Sequence, residues 1–179
     1  MILPLSFATA MLSLIEPMGP ISPYQSYRTS DQMVQAARSG KQNIVEGSSE
    51  RASKKSELKL LAVARASFQE LLEDYEDFLR QRGLPLWGKD SAEAKAVRAL
   101  AYETDKTYQT YRSYLDDPET AANCAICLIN QVNFLLDRQI KSLEEKFVKQ
   151  GGWTEQMWRK RQEEKKRRAG WPFGKYGHG

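Results

Sequence analysis

At 179 residues, with 41% hydrophobic and 28% charged side chains, the chain has the composition of a soluble protein with one core of ordinary size. Its single histidine, His178, stands beside the C-terminus, and its two cysteines form Cys124-Ala-Ile-Cys127; this excludes a Cys/His zinc site and histidine-based catalysis within the fold. The formal charge of +4 is unevenly held: residues 153–179 carry eight Lys/Arg against three Glu, a net of +5, and the remainder nineteen against twenty, a net of −1. A near-neutral body with a basic tail points to an anionic partner.

The first 23 residues are apolar but lack the basic start of a signal peptide, and Pro4, Pro17, Pro20 and Pro23 leave no run long enough to span a bilayer. Residues 1–26 are therefore expected to be an atypical, proline-interrupted segment, with no membrane insertion and no export. From there on the spacing is helical. Ser30-Asp31 offers an N-cap for a helix from Asp31 to about Glu46, with Met33, Val34, Ala37, Ile44 and Val45 as apolar members and Gly47 as its stop.

Ser53 caps a second helix, which Gly83 and Pro85 close near Arg82. In it Leu61, Ala64, Phe68, Leu71, Tyr75 and Phe78 follow a 3-4-3-4-3 spacing, flanked by Leu72 and Leu79, the pattern of a packed seam. Glu70, Glu73, Asp74, Glu76 and Asp77 read as a solvated face; the Glu-x-x-His partners of a di-metal site are missing. A third helix is expected from Ser91 to about Leu115, its Tyr102, Tyr108, Tyr111 and Tyr114 serving packing rather than base stacking. Asp116-Asp117-Pro118 then starts a fourth, running to Gln150 and stopped by Gly151-Gly152.

Ala125, Ile129, Val132, Leu136, Ile140, Leu143 and Phe147 form the main stripe of that fourth helix, and Ile126, Leu128, Phe134 and Leu135 add apolar surface on other faces. Such a helix is buried on more than one side, centrally in a bundle or at an oligomer interface. Cys124 and Cys127 fall in this apolar run and read as reduced core thiols, which fits a cytoplasmic chain. Thr154 is the expected cap of a short basic helix, and the closing WPFGKYGHG has the composition of a mobile tail. The organisation is thus 1–26, a helical bundle over 27–152, and a basic helix with tail over 153–179.

The stretch SGKQNIVEGSSERASKK, residues 39–55, carries the most distinctive wording. It is not a phosphate-binding loop of the Walker type: Gln35 and Gln42 occupy the positions that need Gly and Ser/Thr, and no strand precedes it. One reading makes Asn43, Glu46, Gly47 and Ser53 conformational punctuation, a tight corner with Gly47 as C-cap and Asn43 bonding the reversing chain. The other takes its charges: from 38 to 65, Arg38, Lys41, Arg51, Lys54, Lys55, Lys59 and Arg65 face Glu46, Glu50 and Glu57, a net of +4. Arg51, Lys54 and Lys55 then flank a helix start whose free N–H groups favour phosphate.

Residues 32–79, through Asn43, Ile44, Glu46, Gly47, Arg51, Ser53, Lys54, Lys55, Glu57, Ser67 and Glu70-Leu71, resemble the four-helix-bundle proteins encoded in intervening sequences of 23S ribosomal RNA genes. The accessory variability determinant of diversity-generating retroelements is related to that family. The wording QAARSGKQNIVEGSSERASKK and the tail start Gly-Gly-Trp-Thr-Glu-Gln-Met are similar to its subgroup with a four-helix-bundle suffix domain; the likeness spans roughly residues 27 to 160.

The resemblance implies an all-α, antiparallel up-and-down four-helix bundle assembling as a ring, a homopentamer, with basic residues on its inner surface. It brings no enzyme chemistry. The family's first helix has no clear counterpart here, leaving either a short helix over Leu5 to Glu16 or an altered start.

These readings converge on a non-enzymatic, self-associating protein that binds RNA or DNA through phosphates, with no cofactor and no metal. The expected binding residues are Arg38, Lys41, Arg51, Lys54 and Lys55, supported by Arg159, Lys160, Arg161, Lys165, Lys166, Arg167 and Arg168. A protein-interaction scaffold, docking a partner such as a reverse transcriptase or ribosomal protein, is the alternative. A metal on Glu46, Glu50 and Glu57 is the weakest reading, since no aspartate-rich cluster accompanies them.

Overall fold

A computed structural model of the protein describes residues 27–49, 53–100, 111, 113, 114 and 116–169. The fold is all-α: helices α1 (Tyr27–Gly47), α2 (Lys54–Arg82), α3 (Ala92–Leu100), α4 (Pro118–Gln150) and α5 (Trp153–Ala169) follow one another, with no strand among the described residues. A first helix over Leu5 to Glu16 and the closing tail lie outside the described residues, as do Tyr102 and Tyr108.

Local chemistry sets most helix ends. Ser53 is the N-cap of α2, its hydroxyl accepting the Ser56 N–H at 3.1 Å. The helix closes at Gly83, which takes the left-handed conformation (φ 63°), and the Leu84 N–H reaches back to the Leu79 carbonyl at 2.9 Å. That six-to-one bond satisfies a carbonyl the helix would otherwise orphan and turns Leu84 onto the core. Asp117 caps α4, accepting both the Thr120 N–H and the Thr120 hydroxyl at 2.8 Å, with Pro118 in the first turn. These two bonds hold the Asp117 carboxyl below its ordinary range.

Helix starts and ends differ from the sequence reading in places. α1 begins at Tyr27, so Ser30 and Asp31 lie inside it. The third helix is α-helical over Ala92–Leu100; residues 101–110 of its expected span lie outside the described residues, and Tyr111, Ser113 and Tyr114 have the tighter 3₁₀ backbone. α5 is capped by Gly152 rather than Thr154: the Glu155 carboxylate accepts the Gly152 N–H at 2.6 Å and the Gln156 N–H bonds the Gly152 carbonyl at 3.0 Å. Glu155 thereby fills the third-position role of a capping box.

The packing centres on α2. Its seam of Leu61, Ala64, Phe68, Leu71, Tyr75 and Phe78 is buried throughout, as the spacing predicts. α1 lies antiparallel on one side of it: Ser39 meets Ser67 hydroxyl to hydroxyl at 3.1 Å, and Gly47 meets Leu60 and Leu61. The approach is close because the crossing residues are small. A Cβ on Gly40 would stand 2.6 Å from the Phe68 ring, so the ring occupies the space a side chain would need.

α4 lies antiparallel on another side of α2, fixed in register by the Arg65–Asp137 ion pair at 3.0 Å, and α3 packs on α4. From Ala121 to Ile129 every α4 residue but the half-buried Cys127 is buried, which is the multi-sided burial its sequence requires. Burial of the main stripe stops at Leu136; Ile140, Leu143 and Phe147 are half-buried and Val148 is exposed. Tyr111 is buried and Tyr114 half-buried, both packing on the core as expected.

The connection from α2 to α3 is clamped by Asn123. Its Oδ1 accepts the Trp87 N–H at 2.8 Å, while its amide donates to the carbonyls of Pro85 at 2.9 Å and Glu119 at 3.0 Å. A buried amide with all these partners costs little to bury and anchors an irregular segment to α4.

Candidate nucleic-acid interface

At the corner between α1 and α2, Gly47 and Ser53 are described, and residues 50–52 lie outside the described residues. Gly47 does not adopt positive φ, and a Cβ there would stand 3.4 Å from Leu60 and 3.6 Å from the Glu57 carbonyl, an ordinary packing contact. The helix ends at Gly47 as the sequence reading expects, without the left-handed backbone of Gly83. Asn43 does not bond the reversing chain: its amide donates to the Ser39 carbonyl at 2.8 Å, one turn back in its own helix. Glu46 accepts from Gln42 at 2.8 Å on the exposed side. Of the four punctuation residues, Ser53 acts as proposed and Gly47 ends its helix.

Lys54 and Lys55 are the first two residues of α2, beside free helix N–H groups, and Glu57 is the only acid in that turn. Positive side chains there oppose the helix dipole, a placement that an anion would relieve. Arg38 is exposed and Lys41 half-buried, but they lie nine and six residues before Gly47, about 13 and 9 Å down α1 at 1.5 Å per residue. They do not join the corner. Arg51 lies outside the described residues.

The structure places the corner at the same end of the molecule as the start of α5. Counting from the Arg65–Asp137 pair, α2 runs about 17 Å back to Lys54 and α4 about 20 Å on to Gln150. The start of α2 and the end of α4 therefore share one end of the molecule. There Gly151 (φ 71°) stops α4, donating to the Phe147 carbonyl at 2.9 Å, and α5 begins. Among the described residues no other helix packs extensively on α5. It holds Arg159, Lys160, Arg161, Lys165, Lys166, Arg167 and Arg168 against three glutamates, a net of +4. Glu164 is bonded by Arg167 at 2.9 Å and Arg168 at 3.0 Å, which lowers its pKa, and Arg159 is also engaged. Lys160, Arg161, Lys165 and Lys166 make no ion pair with any described residue.

The middle of α2 has the opposite sign, although its last turn is basic again with Arg80 and Arg82. Asp31, Glu70 and Asp74, with Gln32, Gln35, Ser39 and Ser67, line an open groove of about 820 Å³ between α1 and α2. Burial first, then the neighbouring Asp77, Glu70 and Glu73, pushes the Asp74 carboxyl up. The acidic run is thus only partly the solvated face expected: Glu70 and Glu73 are exposed, while Asp74, Glu76 and Asp77 are half-buried. Among the described residues no group of three or more His, Cys, Asp or Glu is placed to hold a metal ion. Cys124 is buried and Cys127 half-buried, both free, and burial pushes both thiols up. No described helix is long and apolar enough to cross a membrane.

One residue that sequence reasoning passed over stands at the basic end. Trp158 is 62% exposed, with Met157 and Val148 exposed nearby in the chain. Its sequence signal was a tryptophan inside a helix with no apolar stripe to join.

Comparison with family models, curated proteins and solved structures finds no match to the chain.

Proposed function

We propose that this protein is a non-enzymatic, self-associating helical protein that binds RNA or DNA through phosphate contacts. The observation that carries the reading is α5, a helix of net charge +4 with little packing on the other helices and four cations free of ion pairs to described residues. Among the described residues it gains little from the core, so its sequence is best explained by a partner of opposite sign. The Lys54-Lys55 start of α2 lies at the same end and extends the basic surface.

The arrangement proposed is an antiparallel up-and-down four-helix bundle of the kind found in the 23S intervening-sequence proteins, closed as a homopentamer in the cytoplasm. The half-buried stripe of Ile140, Leu143 and Phe147 supports a subunit contact. Repetition around a ring multiplies the phosphate contacts without base discrimination.

A second reading has a specific observation in its favour. Phe134 is 60% exposed on α4, with Arg138 at 5.7 Å from its ring, and would anchor a protein partner instead. Titrating the protein against short RNA and DNA at several salt concentrations separates the two. Phosphate binding weakens steeply with salt and is lost on reversing Lys54 and Lys55 to Glu; apolar docking barely responds.

A further inference from the structure

The exposed indole of Trp158 is at odds with the rest of α5. Burying an aromatic is among the largest apolar gains a chain makes, yet this ring stands on a helix that packs on little and remains 62% in solvent. Thr154, Glu155, Trp158 and Arg159 border an open hollow of about 450 Å³ beside it. The ring therefore has free space at its side, and no described element fills it.

Its neighbours along the helix are specific. At 100° per residue Thr154, Trp158, Arg161, Lys165 and Arg168 follow one another at four-three-four-three spacing, which places them on one stripe. Arg161 and Lys165, one and two turns beyond the ring, make no ion pair with a described residue and are exposed. Across that stripe an aromatic face is followed by two free cations over about 10 Å of helix. Glu155, the acid nearest the ring, is occupied by the Gly152 N–H.

A duplex hides its base faces and offers only phosphates to such a stripe, so the cations would be used and the indole wasted. An unpaired strand offers both: a base to stack on the ring, and phosphates for Arg161 and Lys165. Resting on the nucleic-acid reading above, we infer that the Trp158–Arg161–Lys165 stripe is a binding register for single-stranded nucleic acid, with Trp158 as its stacking platform.

The test uses the full-length protein and a fluorescently labelled oligo-dT, an oligo-U and a mixed-sequence duplex of equal length, titrated at low and moderate salt. The expected result is tighter binding of both single strands than of the duplex. Trp158→Ala should weaken single-strand binding about tenfold or more and leave duplex binding unchanged, with Trp158→Phe restoring most of the loss. Arg161→Gln with Lys165→Gln should weaken both and flatten the salt slope. Thermal unfolding checks that the exposed substitutions leave the body intact. Equal loss on single strand and duplex in Trp158→Ala, or no loss on either, overturns the stacking platform while leaving the phosphate reading standing. Absence of binding to any of the three probes at low salt removes both.

Discussion

Helices α4 and α5 are separated in the chain by two glycines and are built on opposite plans. α4 is held by what surrounds it: from Ala121 to Leu136 it packs against α2 on one side and α3 on another, and Asn123 ties it to the connection between them. α5 is held by its own sequence. A capping box at Gly152 and Glu155, the Glu164 pairs with Arg167 and Arg168, and basic residues in the last turn are all local devices. Each acts within a turn or two of the helix and needs no partner element. Tertiary burial fixes a helix in one place; local devices make a helix that is free to meet something else. The difference marks α4 as scaffold and α5 as the arm.

The comparison is tested first where the expected effect is largest. Ile129 is fully buried, and Ile129→Ala should cost about 2–5 kcal/mol in denaturant unfolding, whereas Met157→Ala on α5 should shift the same transition by under about 0.5 kcal/mol. Similar losses at both sites would mean that α5 is part of the core after all. Next in size is Asn123→Ala, which leaves the Trp87 N–H and the Pro85 carbonyl without their partner at a cost of about 1–3 kcal/mol. Hydrogen exchange at Trp87 should rise in that variant, and a protected Trp87 amide would show that the connection is anchored elsewhere.

The smallest effects are those of pH. Asp117 has a lowered carboxyl pKa in the folded protein, so its contribution is present above the unfolded value of 3.8 and disappears as pH falls through the folded value. Asp117→Ala should lose about 1 kcal/mol at neutral pH and much less in strong acid. Asp74 works in the opposite sense: its folded pKa is raised, so the charged form opposes folding at neutral pH and the penalty fades as pH falls through that raised value. Asp74→Asn should therefore raise the melting temperature at neutral pH, with the gain vanishing in acid. A melting temperature unchanged by Asp74→Asn across that range would mean the acidic groove is fully screened by solvent.

How far the fold could be read in advance follows from which signals are local. The seam from Leu61 to Phe78 was legible because its spacing is a property of one helix, and Ser53 and Gly83 because caps are local chemistry. Gly40 was not legible as a packing residue, since nothing beside it in the chain reveals that the Phe68 ring lies against it. Asn123 was hidden for the same reason, its partners Pro85 and Trp87 being more than thirty-five residues away.

For the candidate interface, the charges could be counted in the sequence but not gathered. The Arg65–Asp137 register brings Lys54, Lys55 and the start of α5 to one end and leaves Arg38 and Lys41 partway along α1. Trp158 was passed over because exposure, the property that distinguishes it, belongs to the fold.

The most direct test of the account is a salt titration of nucleic-acid binding with Lys165, Lys166, Arg167 and Arg168 all changed to Gln in the full chain, alongside thermal unfolding. The account predicts an unchanged main unfolding transition together with binding that is weaker and has a shallower dependence on salt, by about one unit of log-log slope per phosphate contact removed. Undiminished binding with the original slope would contradict it and move the partner surface from α5 to the body of the protein.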